Sequence, residues 1–146
     1  MVLAWGGPFQ GTKLVPAESW VPYQPVTIVT PPFAEYISGH SIFSAAGAEI
    51  LARFTGSQTF GNSVTFLPGS STVEPGLTPA IAVTLSWKTF RAAADQAGLS
   101  RRYGGIHFVQ GDLDGRAYGR SIGKLDWTVA QTYFNGSPNH NPGGDD

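Results

Sequence analysis

The chain has 146 residues, of which 41% are hydrophobic, 12% aromatic and 13% charged, with a formal net charge of −1. That is one domain's worth of chain with enough apolar mass for a core, and the near-neutral balance gives no footing to a nucleic-acid partner. The absence of cysteine excludes disulfides, thiolate metal sites and cysteine nucleophiles without fixing the compartment. The opening residues Met1-Val2-Leu3-Ala4-Trp5-Gly6-Gly7-Pro8 lack the basic start and apolar run of a signal peptide. No stretch approaches the ~20 apolar residues of a membrane span, so the chain is expected to be soluble, with secretion left open.

Residues 1–37 carry Pro8, Pro16, Pro22, Pro25, Pro31 and Pro32, with Trp20, Tyr23, Phe33 and Tyr36 between them. Proline at that density blocks helices, and the aromatics need burial, so this segment is expected to be extended and to pack on the core. A first helix is predicted over Ser41 to Phe54. Phe43, Ala46, Ile50, Leu51 and Phe54 would form its buried face, with Gly47 allowing a close neighbour, and Gly56 ends it. Residues 58–85 change character. Val64-Thr65-Phe66 and Ile81-Ala82-Val83-Thr84-Leu85 are strand-like, and the turn chemistry between them fits a β-hairpin or an irregular excursion.

A second helix is predicted from Trp87 to Ala97, closed by Gly98. A third runs from Gly111 to Phe134, with Tyr118, Ile122, Leu125, Val129 and Tyr133 as its apolar stripe. Residues 135–146 are mostly Gly, Pro, Asn and Asp and should form a flexible tail. The reading is therefore mainly α, with a long Pro-rich N-terminal loop, a short β excursion around 58–85, and 38–134 as the helical part.

Two histidines sit in chemically suggestive company. His40 follows Ser38 and Gly39 at the start of the first helix. Helix N-termini present unpaired N–H groups and the positive end of a dipole, which suits oxyanions. Ser38 is a plausible N-cap, Gly39 lets a ligand approach the backbone, and His40 could act as acid or base beside a bound anion. Arg101 precedes His107 by six residues. On a regular helix that spacing turns the side chain by roughly 240° beyond a full turn, so the two would not share a face. Gly104-Gly105 breaks the helix and permits convergence. The plainer alternatives are a capping or packing role for His40 and dipole-matching roles for Asp112 and Asp114 at a helix start. A metal site of His40, His107 and Asp112 has no support from ligand spacing.

Ser38-Gly39-His40 resembles the Pro-Ser-Gly-His motif of the vanadium haloperoxidase / phosphatidic-acid phosphatase superfamily, and Ser100-Arg101 followed by five residues and His107 resembles its Ser-Arg-x5-His motif. The flanks Thr30-Pro31-Pro32-Phe33-Ala34-Glu35-Tyr36 and Tyr103-Gly104-Gly105-Ile106-His107-Phe108 are similar to the bacterial haloperoxidase-like branch. The resemblance implies the C-terminal half of a helical bundle that binds vanadate, or phosphate as substrate anion. Ser38 and the Gly39 N–H would bond the oxyanion, and Arg101 would neutralise its oxygens. His107 would be the axial partner, as vanadium ligand or phosphatase nucleophile, and His40 the acid–base. The implied activities are halide oxidation with hydrogen peroxide or phosphoric-ester hydrolysis, on a small-molecule substrate.

The chain departs from that pattern in three places. The upstream Lys-x6-Arg-Pro motif is absent, since Lys13 is the one Lys or Arg before Arg53 and Trp20 stands seven positions after it. Ile37 replaces the proline before Ser-Gly-His. Gly111 stands where the family often has an aspartate four residues after the second histidine, with Asp112 one further on as a candidate to orient His107. Each charge-assisted hydrogen bond is worth roughly 1.5–3 kcal/mol, so losing two cations would cost roughly two to four decades of affinity. The site would then be completed by a missing N-terminal half or by another copy in a homo-oligomer. Alternatively the half-fold is a structural or self-assembling module that uses its apolar faces.

Overall fold

The structure, a computed structural model, describes residues 1–28, 30 and 35–137. Part of the first flank (31–34) and the tail from 138 onward lie outside the described residues. The chain opens with an antiparallel pair, β1 (Val2–Trp5) and β2 (Thr12–Val15), in the register Val2 opposite Val15 and Trp5 opposite Thr12. A single 3-10 turn follows at Ala17–Ser19. The N-terminal segment is thus not simply extended. Its prolines stop helices, but 1–15 has few of them and pairs with itself.

This segment is tied to the rest of the molecule at two turns. Tyr23 N–H donates to the Gly104 carbonyl at 2.9 Å. Trp5 Nε1–H and the Tyr23 hydroxyl each donate to Glu74, both at 2.8 Å, and the two rings meet edge to face.

Three helices follow: α1 (Gly39–Thr55), α2 (Phe90–Tyr103) and α3 (Val109–Phe134). Between α1 and α2, β3 (Thr59–Phe66) and β4 (Val83–Thr89) form the antiparallel hairpin, with Val64 opposite Leu85. The second strand runs further than the sequence suggests, so Trp87 belongs to it. α2 starts at Phe90, where the Thr89 side chain caps the Ala92 N–H. The expected stop at Gly98 does not occur. Gly98 is buried inside α2, because any Cβ there would run into Asp112 and Ser41, and close packing outweighs its poor helix propensity.

The helices bury faces that hydrophobic periodicity does not mark. In α3 the buried residues are Gly111, Asp112, Gly115, Gly119 and Gly123. Four glycines at four-residue spacing form one stripe, and α1 lies directly on it. A Cβ at Gly123 would stand 2.5 Å from the Ala46 carbonyl oxygen, and one at Gly119 would strike that of Ile42. α1 answers with Ser41, Ala45 and Ala52 as its buried residues. The expected faces point outward instead: Phe43 is 81% exposed and Phe54 72%, and Leu51, Tyr118, Ile122, Leu125, Val129 and Tyr133 are exposed too. Gly47 likewise faces open space. Among the described residues the buried hydrophobic side chains are alanines 45, 52 and 94. The fold is mainly α, with a narrow core of small residues, and no described helix is long and apolar enough to cross a membrane.

Candidate functional site

Ser38 is the N-cap of α1, and its Oγ accepts the Ser41 N–H at 3.3 Å. The cap is fully buried and stitched to α3, since Ser38 N–H donates to the Gly111 carbonyl at 3.1 Å. The Ser38 and Ser41 hydroxyls lie 2.9 Å apart, and Ser41 donates to Asp112 Oδ1 at 2.8 Å. An ionised carboxylate only accepts, so the one Ser41 proton is held by Asp112 and Ser38 supplies the proton between the hydroxyls. Gly39 opens α1, and a Cβ there would meet nothing within 4 Å. The helix start therefore has open space on the side where a Gly39 side chain would stand.

His40, one residue on, is held below its ordinary 6.5, first by burial of the ring and then by the positive charges of Arg101 and His107. α2 ends at Tyr103, and Gly105 has φ +71, a conformation that favours glycine. The helix break expected at Gly104-Gly105 is present. Trp20 covers Gly105 so closely that a Cβ would stand 2.7 Å from its ring.

Arg101 Nε is buried and, among the described residues, is the one buried side-chain nitrogen or oxygen without a hydrogen-bond partner. A buried, unpaired N–H of a permanent cation is costly unless something accepts from it. An oxyanion is the acceptor that its planar fork fits. The donors of Arg101 and the start of α1 therefore suit an oxyanion, while Ser38 has both its protons engaged, N–H on Gly111 and hydroxyl on Ser41. No group of three or more His, Cys, Asp or Glu side chains that could hold a bare metal cation occurs among the described residues.

His107 is 8% exposed, and its Nδ1 is bonded to Glu35 Oε2. The other Glu35 oxygen accepts the Phe108 N–H at 3.3 Å. Asp112, the expected support for His107, is engaged elsewhere. It takes Ser41, a paired contact from Arg116 at 2.7 and 2.5 Å, and Arg102 at 3.6 Å. Burial alone would raise its carboxyl, but Arg116, Ser41 and Arg102 outweigh this and hold it below its ordinary 3.8. Asp112 thus ties α1, α2 and α3 together behind the site.

Glu35 is the residue that sequence reasoning passed over, as part of a flank. The available signal was the glycine at 111, where a carboxylate was expected. Arg116 was readable as the i+4 partner of Asp112.

A groove of about 1390 Å³ runs past His107, bounded by Arg102 and Phe108 on one side and by Trp5, Trp20 and Tyr23 on the other. A smaller cavity of about 150 Å³ lies elsewhere, among Glu49, Arg91, Asp95 and Arg120. Its charges largely pair with one another or with neighbours.

The family described as the VCPO second helical-bundle domain matches residues 1–136. No curated protein matches the chain. Among solved structures, an apo-type bacterial vanadium-dependent chloroperoxidase is similar at 27% identity and TM-score 0.80, over 92% of this chain and 28% of that one. The holo-type structure gives 27% identity and 0.77, over 90% and 27%. The first bacterial vanadium-dependent iodoperoxidase gives 34% identity and 0.51, over 74% and 22%. The chain spans between 22% and 28% of the length of these solved chains. It belongs to the family of the VCPO second helical-bundle domain and carries that part of the vanadium haloperoxidase fold.

Proposed function

We propose that this chain supplies the C-terminal part of a haloperoxidase-type oxyanion site, with vanadate as the group held and phosphate as its chemical analogue. The observation that carries this reading is the buried, unpartnered Arg101 Nε at the end of α2, whose charge acts on His40. Arg101 would pair with the anion's oxygens, and the Gly39 N–H would bond it from the start of α1; Ser38 would join only by turning its hydroxyl from Ser41 to the anion. His107 would hold it through its ring, and His40 would hold or release a proton beside it.

Vanadate in such a site supplies peroxide activation for halide oxidation, while phosphate would be the group transferred in a phosphatase. The similarity to bacterial chloroperoxidases and an iodoperoxidase favours the former. The groove beside His107 is the natural approach for a small-molecule substrate. Residues 1–37 carry no Lys-x6-Arg-Pro motif, so full anion affinity needs cations supplied from outside this sequence, by further chain or by another copy.

The outward apolar faces of α1 and α3 favour a second reading, a self-associating or partner-docking module built on the same fold. Calorimetric titration with orthovanadate separates the two. Micromolar binding that disappears in His107→Ala is expected for a site that is completed in solution. No binding up to millimolar vanadate would sink activity for this chain and leave a fragment of the site or a structural module.

A further inference from the structure

Gly111 and Glu35 occupy one space. A Cβ on Gly111 would collide with Glu35 Oε1, the oxygen that accepts the Phe108 N–H, while Oε2 bonds His107 Nδ1. The Glu35 side chain is 20% exposed and that of His107 3%. The contact is therefore largely shielded, where a hydrogen bond to a carboxylate is strong. Glu35 is fixed from both sides. Beyond it, Ser38 N–H donates to Gly111, and the Tyr36 hydroxyl donates to Asp114 at 2.6 Å.

We infer that Glu35 is the positioning residue for His107, and that Gly111 is the vacancy that admits it. The carboxylate partner of this histidine comes from the loop before α1 rather than from the first turn of α3. A ring whose single proton is on Nδ1, donated to Glu35, carries its lone pair on Nε2, the atom on the far side of the ring from Glu35. A carboxylate on the remote ring nitrogen sets both tautomer and ring orientation. Gly111 also gives the pair a sharp signature. Alanine at an ordinary helix position raises stability, whereas here its methyl group would displace the carboxylate from His107 without altering either residue of the pair.

This inference rests on the proposed oxyanion site for its functional meaning, but its test does not. The ¹⁵N long-range spectrum of the histidine-labelled 146-residue chain, recorded without vanadate, reads the His107 tautomer directly. The Nδ1–H form is expected in the parent chain and is expected to be lost or mixed in both Glu35→Ala and Gly111→Ala, with the circular dichroism spectrum unchanged. The double variant Glu35→Ala/Gly111→Asp, which returns a carboxylate to α3, should restore it. Retention of the Nδ1–H form in Gly111→Ala overturns the assignment, and that variant decides the matter if Glu35→Ala does not fold.

Vanadate titration of the same samples keeps the two ideas apart. A tautomer change with no vanadate binding in any sample leaves Glu35 as the positioning residue and removes anion binding by this chain alone. Vanadate binding with an unchanged tautomer does the reverse. If both hold, the variants that lose the tautomer should bind vanadate roughly 10–100-fold more weakly.

Discussion

Asp112 shows how a single buried charge can hold a site without belonging to it. It is fully buried, and it meets Ser41 on α1, Arg102 on α2 and Arg116 on α3. Its carboxyl is held below 3.8 in the fold, so the unfolded chain binds the proton more readily. The stability this contributes is fully present above 3.8 and is lost as pH falls through the lower, folded value. Urea unfolding of the parent chain should therefore weaken steadily below about pH 4. Asp112→Asn should lose much of that dependence and be less stable at neutral pH by on the order of 3 kcal/mol, because it strands Arg116 and Arg102. Equal pH slopes in the two proteins would mean that Asp112 does not govern the acid limb. The sequence shows why Ser38, Arg101 and His107 were legible and Asp112's partners less so. The former stand in a motif with fixed spacing, whereas Ser41 and Arg102 meet Asp112 only through the approach of three helices.

Helix positions could be read from the sequence with reasonable accuracy, but helix orientation could not. Ser38 and Gly56 bracket α1 as cap residues should, and α3 begins two residues before its expected start. The error was to assign the large apolar residues to the buried face. That rule assumes a partner surface with room for them, and here the partner surface of α3 is a strip of glycine. Backbone meets backbone, and alanine and serine fill what space remains. Gly119→Ala tests this at the tightest point of that contact. Helix propensity alone would stabilise the variant by roughly 1 kcal/mol. Overpacking against the Ile42 carbonyl should outweigh this and give a net loss of about 2 kcal/mol, visible as a drop of several degrees in Tm. An unchanged or higher Tm would show that α1 and α3 are not in such close contact.

At the scale of the whole molecule, the small-residue core leaves Phe43, Phe54, Tyr118, Leu125 and Tyr133 outside, on a chain that spans 28% of the chloroperoxidase it resembles. Both facts fit a unit whose site and surfaces are completed by more protein. The N-terminal aromatics reach the site from the other side, through Trp20 over Gly105 and Tyr23 on Gly104. The sequence could indicate that they need burial, but not that they would flank the His107 groove, because that depends on contacts across some eighty residues. The central claim is that Arg101 and His107 face one bound oxyanion. The most direct measurement is a crystal structure of the chain soaked in orthovanadate. The expected result is density for the anion within hydrogen-bond reach of Arg101 Nε and against the His107 ring. The anion bound elsewhere with Arg101 Nε still unpaired would contradict it.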